Sequence, residues 1–129
     1  MPLKLEVEPA LRVCKLKTAS GLGYSVLRAV NGPKPAAQDV AVVNYIGYLA
    51  ATGEVFDQSD APIDLPLGAV IPGFSEGLQL MPKGSIYRIC IPSELGYKAK
   101  PTGPIPPNSN LVFQIQLVEI KKAPAAPAN

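Results

Sequence analysis

Apolar and polar residues alternate along most of the chain, and the alternation predicts strands. Between residues 21 and 30, Tyr24, Val26 and Leu27 form a β-like run that ends in the turn signal Asn31-Gly32-Pro33 and a Pro/Ala loop reaching Gln38. Residues 39–49 are dense in Val and Tyr, and Gly53, after Ala51-Thr52, marks a turn into Glu54-Val55-Phe56. These two runs read as an antiparallel pair. Ile63, Leu65 and Leu67 alternate with Asp64 and Pro66. A proline cannot donate to a ladder, so this short strand belongs at an edge or a bulge. Residues 86–91 and 110–120 complete the set, the latter with Leu111, Phe113, Ile115 and Leu117 on one face and Val112, Gln114, Gln116 and Val118 on the other.

Helical spacing occurs once. Ile71, Phe74, Leu78 and Met81 make a single apolar stripe; Pro72 suits a first helical turn, and Pro82-Lys83-Gly84 stops the run. Several antiparallel strands and one short helix imply an α+β domain. Its curved antiparallel sheet, of roughly five to six strands, wraps its apolar face around that helix. The domain is expected to span residues 18–122, preceded by an N-terminal extension (1–17) and followed by an Ala/Pro tail (123–129) that is expected to be disordered.

Composition narrows the possibilities. A chain of 129 residues is about one domain and buries enough surface to need neither metal nor disulfide for stability. Its net charge of +2 is spread without a basic cluster, which argues against a nucleic-acid surface. No apolar run approaches the roughly 18 residues of a membrane span. Near the N-terminus Leu3, Leu5 and Val7 alternate with Lys4, Glu6 and Glu8, unlike a secretory signal. Cys14 and Cys90 are too far apart in sequence for a CxxC motif. Two separate thiols are expected, with one long-range disulfide as the alternative; Cys90, between Ile89 and Ile91, reads as a small buried apolar side chain.

Five short stretches share a chemistry: Tyr45, Phe56-Asp57, Val70-Ile71-Pro72-Gly73-Phe74, Tyr97 and residues 105–113. Together they describe an apolar cup with two phenols and one carboxylate, in a chain without histidine. Such a cup is poorly equipped for hydrolysis or metal chemistry and suits a reaction that needs desolvation and shape. Taken singly, Phe74, Phe113 and Ile71 would be core residues, Asp57 a turn cap and Tyr97 a loop anchor.

Order and spacing add a resemblance. The carrying motifs are Val43-Asn44-Tyr45-Ile46-Gly47, then Gly53 and Phe56-Asp57, then Gly68-Ala69-Val70-Ile71-Pro72-Gly73-Phe74, then Ile91-Pro92-Ser93-Glu94-Leu95-Gly96-Tyr97, and last Ile105-Pro106-Pro107-Asn108-Ser109-Asn110-Leu111-Val112-Phe113. Over residues 18–122 the chain resembles an FKBP-type peptidyl-prolyl isomerase, especially the domain of the macrophage-infectivity-potentiator-like bacterial proteins. The resemblance implies that Phe74 is the pocket floor, where the family most often carries tryptophan. It makes Tyr45, Phe56, Ile63, Val70, Ile71 and Phe113 walls and puts Ile105 on the rim. Tyr97 is expected to hydrogen-bond a substrate carbonyl through its phenol, the Ile71 N–H a second one, and Asp57 to accept from Tyr45. Besides the Phe74 floor, departures occur at two further places. The loop of residues 58–62 is short and lacks the arginine that some members pair with the aspartate, and the usual Ala-Tyr-Gly is Gly96-Tyr97-Lys98, with the flexible position ahead of the tyrosine.

The implied activity is isomerisation of X-Pro bonds during protein folding, catalysed by Asp57, Tyr97 and Tyr45 in the apolar pocket. The alternative is a non-catalytic module that binds proline peptides or client proteins. No cofactor and no metal are expected. The expected partners are proline-containing peptides, unfolded clients and, at reduced affinity, macrolides of the tacrolimus and rapamycin type; the chain itself is expected to be a monomer. The resemblance favours the periplasm or cell envelope although no signal peptide is visible, with the cytoplasm as the alternative.

Overall fold

In a computed structural model, which describes residues 8–98, 100, 103 and 105–122, the alternating runs become β1 (Leu16–Lys17), β2 (Gly23–Arg28), β3 (Val40–Leu49), β4 (Val55–Gln58), β5 (Ile63–Pro66), β6 (Ile86–Ile91) and β7 (Leu111–Lys121), with one helix, α1 (Pro72–Leu80). The strands form a seven-stranded sheet in the order β1-β2-β6-β7-β3-β4, with β5 also pairing with β3. All the pairings are antiparallel. The count exceeds the expected five to six because a strand as short as Leu16-Lys17 leaves no readable alternation. The alternation of residues 3–7 and the Ala/Pro tail at 123–129 lie outside the described residues.

The longest pairing, β3 with β7, runs from Val40 opposite Lys121 to Leu49 opposite Leu111, shifting register between Val42 and Val43. Further shifts fall between Val26 and Arg28 of β2 and between Gly47 and Tyr48 of β3. Each bulge adds local twist, which curves the sheet. On its helix side Val43, Ile89, Ile91, Phe113, Ile115 and Leu117 are buried, as are Phe74, Leu78 and Met81 of the helical stripe. The expected edge position of the 63–67 run holds, since β5 ends at Pro66 and pairs only with β3.

Two glycines let α1 lie close to the sheet. A Cβ on Gly73 would stand 2.6 Å from Ile91 Cγ2, and one on Gly77 3.0 Å from Ile89 Cγ2. Pro72 opens the helix at its first turn, where its missing N–H costs nothing. Glu76 anchors the outer side, accepting from the Thr18 and Ser20 hydroxyls at 2.6 Å each.

The segment ahead of β1 crosses the opposite face of the sheet. Tyr48 donates its hydroxyl to the Leu11 carbonyl, Arg88 Nη1 donates to the Val13 carbonyl at 3.2 Å, and Lys15 N–H donates to Ser25 Oγ at 2.9 Å. Cys14 and Cys90 form a disulfide in the middle of this strap, with their Cα atoms 6.1 Å apart. This corrects the expectation of two separate thiols. The reason is the period of β6: Tyr87, Ile89 and Ile91 point into the core, so Cys90 projects with Ile86 and Arg88 to the other face, under Cys14.

Candidate active site

A cleft of about 270 Å³ opens between α1, the inner face of the sheet and the loops around it. Its lining comes from Tyr45 of β3, Phe56 and Asp57 of β4, Leu65 of β5, Ala69 and Val70 ahead of the helix, Ile71 and Phe74 at its start, Tyr97 after β6, and Phe113 of β7. Eight of the ten residues named from sequence line it: Tyr45, Phe56, Asp57, Val70, Ile71, Phe74, Tyr97 and Phe113.

Ile63 and Ile105 do not. Ile63 is half-buried on β5 opposite Val43, one strand period short of Leu65, which takes the wall position instead. Ile105 is 6% exposed and belongs to the core cluster. The sequence reading missed Leu65 and Ala69. Leu65 shares the alternation that singled out Ile63, whereas Ala69 gives no signal of its own. Only Gly103 and residues 105–107 of the proline-rich run 101–107 are described.

The walls are aromatic rings meeting edge-on. Phe74 and Phe113 have centroids 4.8 Å apart with planes at 80°; Phe56 and Phe113 stand 5.6 Å apart at 86°, and Tyr45 and Phe74 6.0 Å at 85°. Such T-shaped contacts set a positive ring edge against a negative ring face, and each contributes about 0.5–1.5 kcal/mol beyond buried area. The rings therefore hold one another and leave an apolar floor.

Polar groups are few. The Tyr45 hydroxyl donates to Asp57 Oδ2 at 2.5 Å. Burial first, and then this hydrogen bond and the Asp57 charge, push the Tyr45 phenol well above its ordinary value of 10.0. Among the described residues no cation pairs with Asp57, and none accepts a hydrogen bond from the Tyr97 hydroxyl or the Ile71 N–H. Both residues line the cleft. The turn that presents Tyr97 has its left-handed residue at Lys98, with φ of 53°, while Gly96 has φ of −117°. The glycine thus precedes the tyrosine, as the sequence has it, and the left-handed position after the tyrosine is taken by a lysine.

Residues 32–118 match the sequence profile of the FKBP-type peptidyl-prolyl cis-trans isomerases. The chain belongs to that family. It is 46% identical over 112 residues to the FKBP-type peptidyl-prolyl cis-trans isomerase FkpA of Aeromonas hydrophila, a stretch that covers 84% of this chain and 41% of that protein. It is 42% identical over 108 residues to the outer membrane protein MIP of Legionella longbeachae, covering 81% of this chain and 46% of that one. The crystal structure of FkpA from Escherichia coli superposes with a TM-score of 0.80 at 41% identity, over 84% of this chain and 52% of that one. The chain spans less than half the length of these two curated relatives. The antiparallel sheet with one α-helix among the described residues is the architecture of FKBP structures.

Proposed function

We propose that this FKBP domain is a peptidyl-prolyl cis-trans isomerase whose cleft binds the proline ring of an X-Pro segment and favours the twisted amide. The observation that carries the reading is the pairing of an edge-packed aromatic floor with two hydrogen-bond donors, the Tyr97 hydroxyl and the Ile71 N–H, that have no protein acceptor among the described residues.

Rotation about an X-Pro bond breaks no covalent bond; its barrier of about 18–20 kcal/mol is amide resonance. Twisting the bond removes double-bond character and reduces charge separation. A dry apolar cleft therefore penalises the planar amide more than the twisted one. A rate gain of about 1000-fold requires only about 4 kcal/mol. Desolvation by Phe56, Phe74 and Phe113, with one or two hydrogen bonds to flanking carbonyls from Tyr97 and Ile71, supplies energy on that scale. Tyr45 and Asp57 close one side as a bonded pair.

Proline-containing peptides and unfolded proteins are the substrates this cleft fits. The cell envelope is the compartment it suits, because the Cys14–Cys90 disulfide needs an oxidising environment and a relative is named an outer membrane protein. The deciding experiment measures isomerisation of a proline tetrapeptide by the purified chain and by Tyr97→Phe and Phe113→Ala. Turnover that falls in both variants supports catalysis. Peptide binding without turnover in the wild type would make the cleft a binding module instead.

A further inference from the structure

Strand β3 has a gap on its outer edge at the level of the cleft. There it pairs with β5 from Val40 to Val43 and with β4 from Ile46 to Tyr48, so at Tyr45 neither strand supplies a partner. Its inner edge stays paired, Tyr45 lying opposite Ile115 of β7. Ser59, just past the end of β4, fills the outer position. Its N–H donates to the Tyr45 carbonyl at 2.9 Å, and its Oγ accepts from the Tyr45 N–H at 2.9 Å. In a regular antiparallel pair the second bond would go to the Ser59 carbonyl. Here a bend at residues 60–61 turns the chain away toward β5, and the side-chain hydroxyl stands in for that carbonyl.

The consequence reaches the cleft because Tyr45 is held at both ends. Its backbone is fixed by Ser59 and its phenol by Asp57, two residues earlier on the same segment. Its ring leans on Phe74 and Phe113 at centroid distances of 6.0 and 6.1 Å. An alanine at 59 would leave the Tyr45 N–H without an acceptor at the point where two strands diverge. We propose that Ser59 is a positioning residue for the cleft, its hydroxyl holding the Tyr45 backbone so that the phenol meets Asp57 and the ring forms a wall. The inference rests on the isomerase reading for its effect on turnover, while its structural half stands apart from it.

The test uses the full chain with Ser59→Ala, with Ser59→Thr to restore a hydroxyl, and with Ser25→Ala as a control. Ser25 Oγ likewise accepts a backbone N–H at 2.9 Å, that of Lys15, but on the face away from the cleft. Each protein is assayed for kcat and KM on a proline tetrapeptide, for thermal unfolding, and by NMR of isotope-labelled tyrosine for the Tyr45 hydroxyl and ring resonances. Losing the Ser59 bond is expected to lower kcat/KM about fivefold and to move or broaden the Tyr45 resonances, with Ser59→Thr restoring both. Ser25→Ala is expected to lose stability only. Tyr45 resonances that stay at their wild-type positions in Ser59→Ala, or an equal loss of kcat/KM in Ser25→Ala, would overturn the proposal. If the wild type shows no turnover, the isomerase reading fails and the Tyr45 resonances alone decide the role of Ser59.

Discussion

Phe113 rests its ring on the bare backbone of Gly47: a Cβ there would lie 2.6 Å from Phe113 Cε1 and 3.0 Å from Phe56 Cζ. The two residues face each other across β3 and β7. The ring has no room to retreat, because Phe74 meets it edge-on at 4.8 Å. Gly47→Ala is therefore expected to cost about 1–3 kcal/mol of stability by overpacking. It should also lower kcat/KM by about tenfold or more through displacement of the Phe113 wall. Chemical denaturation and a tetrapeptide assay check both. Gly68→Ala, which adds a methyl into open space, serves as the stability control and should unfold close to wild type.

Lys98 is held in the left-handed region at φ 53°, where an L side chain crowds its own carbonyl and costs roughly 1–2 kcal/mol. The turn is nonetheless closed by hydrogen bonds on both sides, Lys98 N–H to the Ser93 carbonyl at 2.9 Å and Asn108 N–H to the Lys98 carbonyl at 2.6 Å. Lys98→Gly removes the crowding and keeps both bonds. A stability gain of about 1 kcal/mol is expected, read as a rise in melting temperature. A fall would show that the lysine side chain contributes more than its backbone conformation costs.

The disulfide closes a loop of sequence separation 76. Restricting an unfolded chain over that length contributes about 4 kcal/mol in the chain-entropy account. Reduction, or Cys14→Ser with Cys90→Ser, is expected to lower stability by that order. The strap lies on the face of β6 away from Ile89 and Ile91, the residues that meet α1. Turnover below the melting temperature should therefore change little. A large loss of kcat/KM with the fold intact would show that the strap holds the cleft in shape.

How much of this was legible depends on whether a residue's role followed from periodicity. Phe74, Phe113, Tyr45 and Phe56 lie where strand alternation and the helical stripe put apolar side chains, and their motif order then brought them to one cleft. The same alternation separated Cys90 from Ile89 and Ile91, yet its partner could not be read because Cys14 belongs to an irregular strap held by long-range bonds. The resemblance names Ile63 as a wall, and alternation cannot arbitrate because Ile63 and Leu65 share one face of β5; only the tertiary position of the strand decides between them. Lys98 and Ser59 were invisible for a related reason: a left-handed lysine and a hydroxyl completing a ladder are settled by where the chain must turn.

Tyr45 offers a titration that reports directly on its bond to Asp57. Burial, the hydrogen bond to Asp57 and the Asp57 charge all favour the neutral phenol, raising its value above the ordinary 10.0. A group raised on folding contributes stability that is complete below about pH 10, the unfolded value, and is lost as the pH climbs from there through the folded value. Tyr45 should consequently ionise later than an exposed tyrosine when phenolate absorbance or tyrosine NMR is followed to alkaline pH. Asp57→Asn removes the charge and should bring the midpoint down, though not fully, because burial is the largest cause and remains. An unchanged midpoint in Asp57→Asn would mean that the carboxylate has no hold on the phenol.

The resemblance puts Phe74 where the family most often carries tryptophan, and the cleft it lines measures about 270 Å³. A phenyl floor presents less area than an indole and lacks its N–H. A bulky apolar ligand that presses on the floor therefore loses contact here, while a small proline ring loses less. Phe74 is 4% exposed and its ring is fixed by Phe113 and Tyr45, so neighbouring rings cannot swing in to replace the missing area. Tacrolimus is expected to bind this chain weakly. Phe74→Trp should tighten it by about tenfold, the equivalent of about 1.4 kcal/mol of added apolar contact, with a smaller change in KM for a proline tetrapeptide. Calorimetric titration of the two proteins decides the matter. Equal affinities would show that the floor ring does not carry macrolide binding, and a weaker Trp variant would show that the indole overfills the space between Tyr45 and Phe113.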